Sequence, residues 1–277
     1  MEIVQQNLLV LLIGNGRTIT NIVQNNQSLQ RLSIFLDATG SVTNFATSGT
    51  FNSKSVNNGY IAQNLVILYD GKYNTRSGYN TEATTWQDLS GNDKDATLDG
   101  GYWQDNGVVL DGLDDGVFVG SNLQDIFSIN NTIEIKVKFD ELNSRDLIFG
   151  NYPNTNNINY EKYNLNNDTR LWVNGGNYST YFGGAYTSNT DKYTLTYVWN
   201  KTEKKVEQYI NGILRYTFTN DEIGNYNFTN FTSAWIGRDN RGAGNVAMKG
   251  TVYSFRVYNR NLTGDEITNN YNVDSSN

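Results

Sequence analysis

Between Asn151 and Asn189 six tyrosines, Tyr152, Tyr160, Tyr163, Tyr178, Tyr181 and Tyr186, are interleaved with asparagine and glycine, and a later run supplies Arg238, Asp239, Asn240 and Arg241. Flat aromatic faces stack on the C–H side of a pyranose, while amides, carboxylates and guanidinium groups bond its hydroxyls, so these residue types suit carbohydrate recognition. Asp88, Ser90 and Asn92 alternate like the first ligands of a calcium loop, with Asp99 at the twelfth position. Position six is Asp93, where such a loop needs glycine for its sharp turn, which argues against an EF-type site. The paired acids Asp93 with Asp95, Asp114 with Asp115, and Asp265 with Glu266 fall in turn or cap contexts, where solvated carboxylates are routine. There is no cysteine and no histidine, which removes thiol nucleophiles, imidazole bases, disulfides and nitrogen- or sulfur-ligated zinc. Any metal must be hard and oxygen-bound, with calcium first in line.

The elements that must position these residues are mostly strands. From Gln63 onward, Leu65 to Tyr69, Gly107 to Leu110 and Val117 to Val119 read as short apolar strands, the last two flanking the turn Asp111 to Gly116. Ile133, Ile135, Val137 and Phe139 alternate with Glu134, Lys136 and Lys138, which predicts a half-buried strand, and Tyr193 to Trp199 repeats the pattern. Asn211-Gly212 between Val206–Ile210 and Ile213–Phe218 is a two-residue hairpin signal. Ala234 to Gly237 and Gly250 to Tyr258 complete an antiparallel β-sandwich of many short strands. Thr263 followed three residues later by Glu266 is a capping-box spacing, opening a helix of barely two turns that must pack on something to persist. Four of the five tryptophans, Trp86, Trp172, Trp199 and Trp235, lie in or beside strands and read as core more than as platform.

Residues 1–60 differ in composition. They hold Arg17, Arg31 and Lys54 against Glu2 and Asp37, a balance of +1, so the remainder carries −8 of the chain's net −7. Leu8 to Ile13 is apolar on both faces and ends at Gly14-Asn15-Gly16; Thr18 to Val23 follows as a second strand and Leu29 to Leu36 as a third strand or short helix. So small a block cannot bury such a run alone, which points to docking on a partner or to trimerisation. Residues 38–60, rich in Ser, Thr, Asn and Gly, read as a linker. The expected organisation is a small β-rich N-terminal anchor at 1–60 and a sandwich at 61–277.

Acidic charge spread along the chain disfavours nucleic acid. The Leu8 to Ile13 run is far short of the roughly 20 residues that span a bilayer, so no membrane insertion is expected. The first positive side chain is Arg17, so no basic leader region is seen and synthesis in the cytoplasm without a signal peptide is expected. Asparagine makes up about one residue in six, far above average usage, which an AT-rich genome explains without glycosylation.

Six landmarks in order resemble the laminin G-like, concanavalin A-like lectin jelly rolls: Trp86 to Asn92 within TTWQDLSGNDKDATL, Leu110 to Asp115, Thr132 to Phe139, Asn211-Gly212, Ile236-Gly237, and the closing strand and capped helix Gly250 to Tyr271. No single piece is specific; the order over residues 63–275 is. The resemblance implies an all-β antiparallel sandwich closed by a short C-terminal helix. It implies either one structural calcium near a sandwich edge, with Asp88, Asn92, Asp114 and Asp115 as donors, or Asx-turns in surface loops with no ion. Glucanases of this fold carry Glu, Asp and Glu at alternating positions of one strand, where this chain has Glu134, Lys136 and Lys138, so no two-carboxylate mechanism and no enzyme is expected.

The function this combination implies is a non-catalytic adhesion module that binds a host surface glycan or polymer through Tyr152, Tyr160, Tyr163, Tyr178, Tyr181, Tyr186, Arg238, Asp239 and Arg241. An anchor wanting a partner, no leader and an AT-rich bias suit a bacteriophage virion component such as a tail or head fibre protein. It would contact other virion proteins through residues 1–60 and form a homo-oligomer. The alternatives are a structural or decoration part of the virion with no glycan ligand and, third, a glycan-cleaving enzyme.

Overall fold

The computed structural model describes residues 2–5, 8–11, 22–24, 59–121, 123–124, 130–142, 144–151, 157–163, 168–173, 178–182, 186–226, 233–239 and 246–276. The chain divides into two compact units, Met1–Ser53 and Lys54–Asn277. In the first, β1 (Glu2–Gln5), β2 (Leu8–Leu11) and β3 (Ile22–Gln24) form an antiparallel meander, with Ile3 opposite Val10 and Leu9 opposite Val23. The expected strand at Thr18 to Val23 is thus observed as Ile22–Gln24. The expected element at Leu29 to Leu36 and most of the 38–60 linker lie outside the described residues.

The second unit opens with β4 (Leu65–Asp70), β5 (Thr85–Trp86), β6 (Ala96–Asp99), β7 (Tyr102–Gln104), β8 (Gly107–Asp111) and β9 (Gly116–Ser121). Then come β10 (Asn131–Phe139), β11 (Asp146–Gly150), β12 (Ile158–Tyr163), β13 (Asp168–Val173), β14 (Tyr178–Phe182) and β15 (Tyr193–Asn200). The chain finishes with β16 (Lys205–Ile210), β17 (Ile213–Thr219), helix α1 (Asp221–Asn225), β18 (Ser233–Ile236), β19 (Lys249–Tyr258) and helix α2 (Gly264–Ser276). One sheet runs β17-β16-β15-β10-β19-β8-β7, with β4 added along the C-terminal half of β19; the other runs β14-β13-β12-β11-β18-β9-β6-β5. The pairing is antiparallel throughout, so the two inner faces meet as a sandwich and each strand alternates between core and outer face.

Ile133, Ile135 and Val137 of β10, Phe255 and Val257 of β19, Ile148 and Phe149 of β11 and Ala234 and Ile236 of β18 fill the space between the sheets. Trp86 and Trp199 have no exposed surface, and Trp86 meets Tyr69 in a stack and Trp103 edge-on. The Asn211-Gly212 hairpin forms as its residues demand, both with positive φ (52° and 76°), the mirror-image turn that matches strand twist.

The closing helix is longer than the spacing alone implies, running 13 residues rather than about two turns. Its capping box is made: the Thr263 amide donates to Glu266 Oε2 at 2.9 Å and the Glu266 amide to Thr263 Oγ1 at 3.3 Å. Polar side chains hold α2 to the outer face of the first sheet, and β10 is therefore buried on both faces, against the expectation of a half-exposed strand. Glu134 and Arg256 are fully buried and Asp274 is 1% exposed. Arg256 donates from Nη1 and Nη2 to the two oxygens of Asp274 at 2.9 and 2.7 Å, and from Nε to Glu134 Oε2 at 3.0 Å. Tyr60, Thr194 and Ser254 add hydroxyl donors to Asp274, and Asn270 and Thr196 bond Glu134. Burial pushes the Asp274 carboxyl up, but the bidentate guanidinium outweighs it and the net shift is downward. Burial pushes Glu134 up and its single Arg256 contact does not reverse that.

Candidate functional site

On the opposite outer face, that of the second sheet, two short strands, β12 and β13, alternate strictly. In β12, Ile158, Tyr160 and Lys162 point into the sandwich, so Asn159 and Glu161 point out; in β13, Thr169, Leu171 and Val173 point in, so Arg170 and Trp172 point out. Register places Glu161 opposite Arg170 and Asn159 opposite Trp172. Continuing across the sheet, Asn159 lies opposite Gly150, Gly150 opposite Trp235, and Trp235 opposite Phe118, one transverse row over β13, β12, β11, β18 and β9. Trp172 and Trp235 stand three strands apart, about 14 Å. Gly150 is required in this row, because a Cβ there would sit 2.1 Å from Asn159 Oδ1.

Charge is concentrated at the Trp172 end. Glu161, 1% exposed, accepts from Arg145 Nε and Nη2 at 3.0 and 2.9 Å, and Arg170 Nη1 stands 3.9 Å away. Both guanidinium groups also lie over the Trp172 ring, at 5.1 Å for Arg145 and 4.4 Å for Arg170. Burial raises the Glu161 carboxyl, the Arg145 contacts oppose it, and the like charge of Asp239 adds to the rise. Beside it, Asn159 Oδ1 accepts the Asn151 amide at 3.2 Å and Asn151 Oδ1 accepts the Ile158 amide at 2.8 Å; among the described residues Asn151 Nδ2 has no partner. At the other end the Arg238 guanidinium stacks 3.9 Å from the Trp235 ring, which meets Phe118 at 5.0 Å, and bonds the Asp99 carboxylate and the Asp114 carbonyl. The centre of the row is buried, while Phe118, Trp172, Arg170 and Arg145 reach solvent.

Several expectations change against this geometry. Tyr160 and Tyr186, offered as sugar platforms, are core residues at 2% and 1% exposure: Tyr160 stacks on Phe149 and Tyr197, and the Tyr186 hydroxyl pairs with Thr169 at 2.7 Å. The segment read as long polar connections contains β12, β13 and β14, and strand alternation sends Tyr160 inward and Trp172 outward. Tyr163, Tyr178 and Tyr181 lie on strands, in register with Asp168, Val173 and Arg170. Tyr152 and Arg241 lie outside the described residues. Asp239 is buried at 3% exposure, and Arg238 stands at the rim. Trp172, read as core from the sequence, faces outward; the signal was present in RLWV, where Leu171 and Val173 claim the core. Trp235 is buried at 9% exposure, as expected. Arg145, Glu161 and Arg170 carried no motif and were missed.

The implied calcium donors separate in the same way. Asp88 is fully buried and its carboxylate accepts from the Leu68, Ser90 and Lys94 amides and the Ser90 hydroxyl at 2.8 to 3.1 Å, so N–H and O–H donors occupy the oxygens an ion would need. Asn92 spends its Nδ2 on the Leu65 and Val66 carbonyls. Asp88 does not fit a cation. Asp114 and Asp115 differ: with Asp111 their carboxylates gather within 4.8 Å at the β8–β9 turn, a donor set of the right chemistry for a hard cation. Among the described residues no helix is long and apolar enough to cross a membrane.

Comparison with known structures gives the Trypanosoma rangeli sialidase in complex with sialic acid at 17% identity and TM-score 0.56, over 75% of this chain and 32% of that one. Domain 4 of AbnA, a GH43 extracellular arabinanase from Geobacillus stearothermophilus, in complex with arabinotriose, matches at 17% identity and TM-score 0.57 over 74% of this chain and 96% of the domain. The chain spans about a third of the sialidase, and at these identities the likeness is one of fold. Comparison with curated proteins gives no match. The family model of the concanavalin A-like lectin/glucanases superfamily matches residues 110–268, more than half of the chain and the whole span from β9 to the first turns of α2. The chain therefore belongs to the concanavalin A-like lectin/glucanases superfamily.

Proposed function

We propose that the sandwich is a non-catalytic glycan-binding module, presented on a bacteriophage virion for attachment to a host surface polymer. The observation that carries this reading is the partly exposed Trp172 ring on the outer face of the second sheet, flanked by Arg145 and Arg170 over a buried Glu161. An indole supplies the flat C–H-binding face, and the guanidinium rim supplies fixed donors for hydroxyls. Glu161 supports binding over hydrolysis, because both its oxygens are engaged by Arg145 and it is not free to attack or to pass a proton. The chain enters and leaves the sandwich on the other side: Tyr60 bonds Asp274 at 2.9 Å and the Ile61 amide bonds Asn270 at 3.0 Å, both against the outer face of the first sheet.

The virion placement and the partnership through residues 1–60 rest on the apolar first block and on the asparagine-rich composition. The test is saturable binding of the full chain to a glycan array and to host cell-wall polysaccharide. Trp172→Ala is expected to weaken binding by about 30-fold, the effect of losing an aromatic hot spot of about 2 kcal/mol, with an unchanged melting transition. No saturable binding to any glycan or host surface would favour the structural role instead, and release of reducing sugar would overturn the non-catalytic reading.

A further inference from the structure

Lys162 and Asp146 are an unusual pair for the interior of a sandwich. They face each other in register on β12 and β11, with side chains 0% and 1% exposed and Nζ 2.9 Å from Asp146 Oδ2. The Phe139 ring lies 5.4 Å from the amine. The Ser144 hydroxyl bridges the two groups, 3.0 Å from Nζ and 3.1 Å from the same Oδ2, closing a three-membered ring of polar atoms. The Leu142 and Ser144 carbonyls, at 3.1 and 2.7 Å from Nζ, fix the amine over the carboxyl.

We propose that Lys162 and Asp146 join in an intramolecular isopeptide bond, formed by the folded protein itself with Ser144 as proton relay. The charged pair is poorly solvated where it sits, so the neutral form, amine plus carboxylic acid, gains relative to water. Burial lowers the Lys162 amine and raises the Asp146 carboxyl, and Glu141 adds like charge to the latter. The neutral Nζ attacks Cγ of the protonated carboxyl, forming the N–C bond. Nζ gives one proton to Ser144 Oγ, which passes its own to the departing Oδ2 hydroxyl; the C–O bond breaks and one water leaves. Amine and acid become amide and water, with no oxidant, cofactor or outside nucleophile. Holding the reactants in one geometry supplies what a bimolecular amidation lacks.

The product would lock β11, which Arg145 immediately precedes, to β12, which carries Glu161. This proposal does not depend on what the outer face binds. The experiment is the intact mass of the purified full chain under denaturing conditions. The expected result is a deficit of one water, with a branched peptide in proteolytic digests that joins the segments containing Asp146 and Lys162. Lys162→Met and Asp146→Ala should each restore the full mass, and Ser144→Ala should leave a larger unlinked fraction at early times after refolding. A wild-type chain that keeps its full mass after prolonged incubation at neutral pH overturns the proposal, as does a water loss that persists in Lys162→Met.

Discussion

Replacing Arg256 by methionine keeps the volume of the side chain and deletes the guanidinium that bonds both Glu134 and Asp274 beneath α2. The wild-type guanidinium makes three hydrogen bonds to the two carboxylates and lies 4.2 Å from the Tyr60 ring. Removing one partner of a buried ion pair costs about 3–5 kcal/mol, because the other charge is left without compensation. Here two carboxylates would be left, so the upper half of that range is expected at neutral pH. For a domain of this size the loss corresponds to a fall in melting temperature of about 10–15 °C. The pH dependence identifies the cause. In the wild type Asp274 is held below its ordinary value, so its contribution is present above the unfolded pKa and lost as pH falls through the folded one. Glu134 is raised, so its contribution is full below the unfolded pKa and lost as pH rises through the folded value. In the variant both carboxyls are raised, and both then oppose folding as pH rises. The deficit should therefore be larger at pH 7 than at pH 4, measured by urea denaturation at each pH. A deficit below about 1 kcal/mol, or one independent of pH, would refute the idea that Arg256 compensates buried charge.

Asp88→Ala removes four hydrogen bonds from one buried carboxylate and strands the Leu68 and Lys94 amides, an expected loss of about 3 kcal/mol by denaturant titration. That loss should be the same in calcium and in chelator, since the site holds donors in place of an ion. Thr263→Ala opens the capping box of α2 and should cost about 1 kcal/mol by thermal melt. Glu266, held at about 2 chiefly by Arg260, keeps its contribution above the ordinary glutamate value and loses it as pH falls through about 2; Glu266→Gln should therefore erase part of the acid sensitivity between pH 4 and pH 2.

The strands, the Asn211-Gly212 hairpin and the Thr263–Glu266 cap were legible because each rests on residues close in sequence: β-branched alternation, two residues able to take positive φ, and two side chains three positions apart. The order of landmarks from Trp86 to Tyr271 was enough to read a sandwich of this family. The Tyr-rich segment shows where local reading stopped. Tyrosine among asparagines reads as loop, yet INYEKY and DTRLWV keep a period of two, and that period decides that Tyr160 is core while Trp172 is surface.

By itself, then, the sequence determined the fold class, the closing helix and its cap, and the exclusion of chemistry that needs cysteine or histidine. Tertiary structure alone decided which charges are buried and with whom. Glu134 meets Arg256 across 122 residues and Lys136 meets the Asp274 carbonyl across 138, distances at which no spacing rule operates. Whether a polar position on a strand is solvated depends on what is laid over that face, and α2 covers the first sheet where period alone predicts water. The same holds for Glu161, Arg145 and Arg170 under Trp172: they become one constellation only because antiparallel register brings separate strands together, a relation that a linear pattern does not contain.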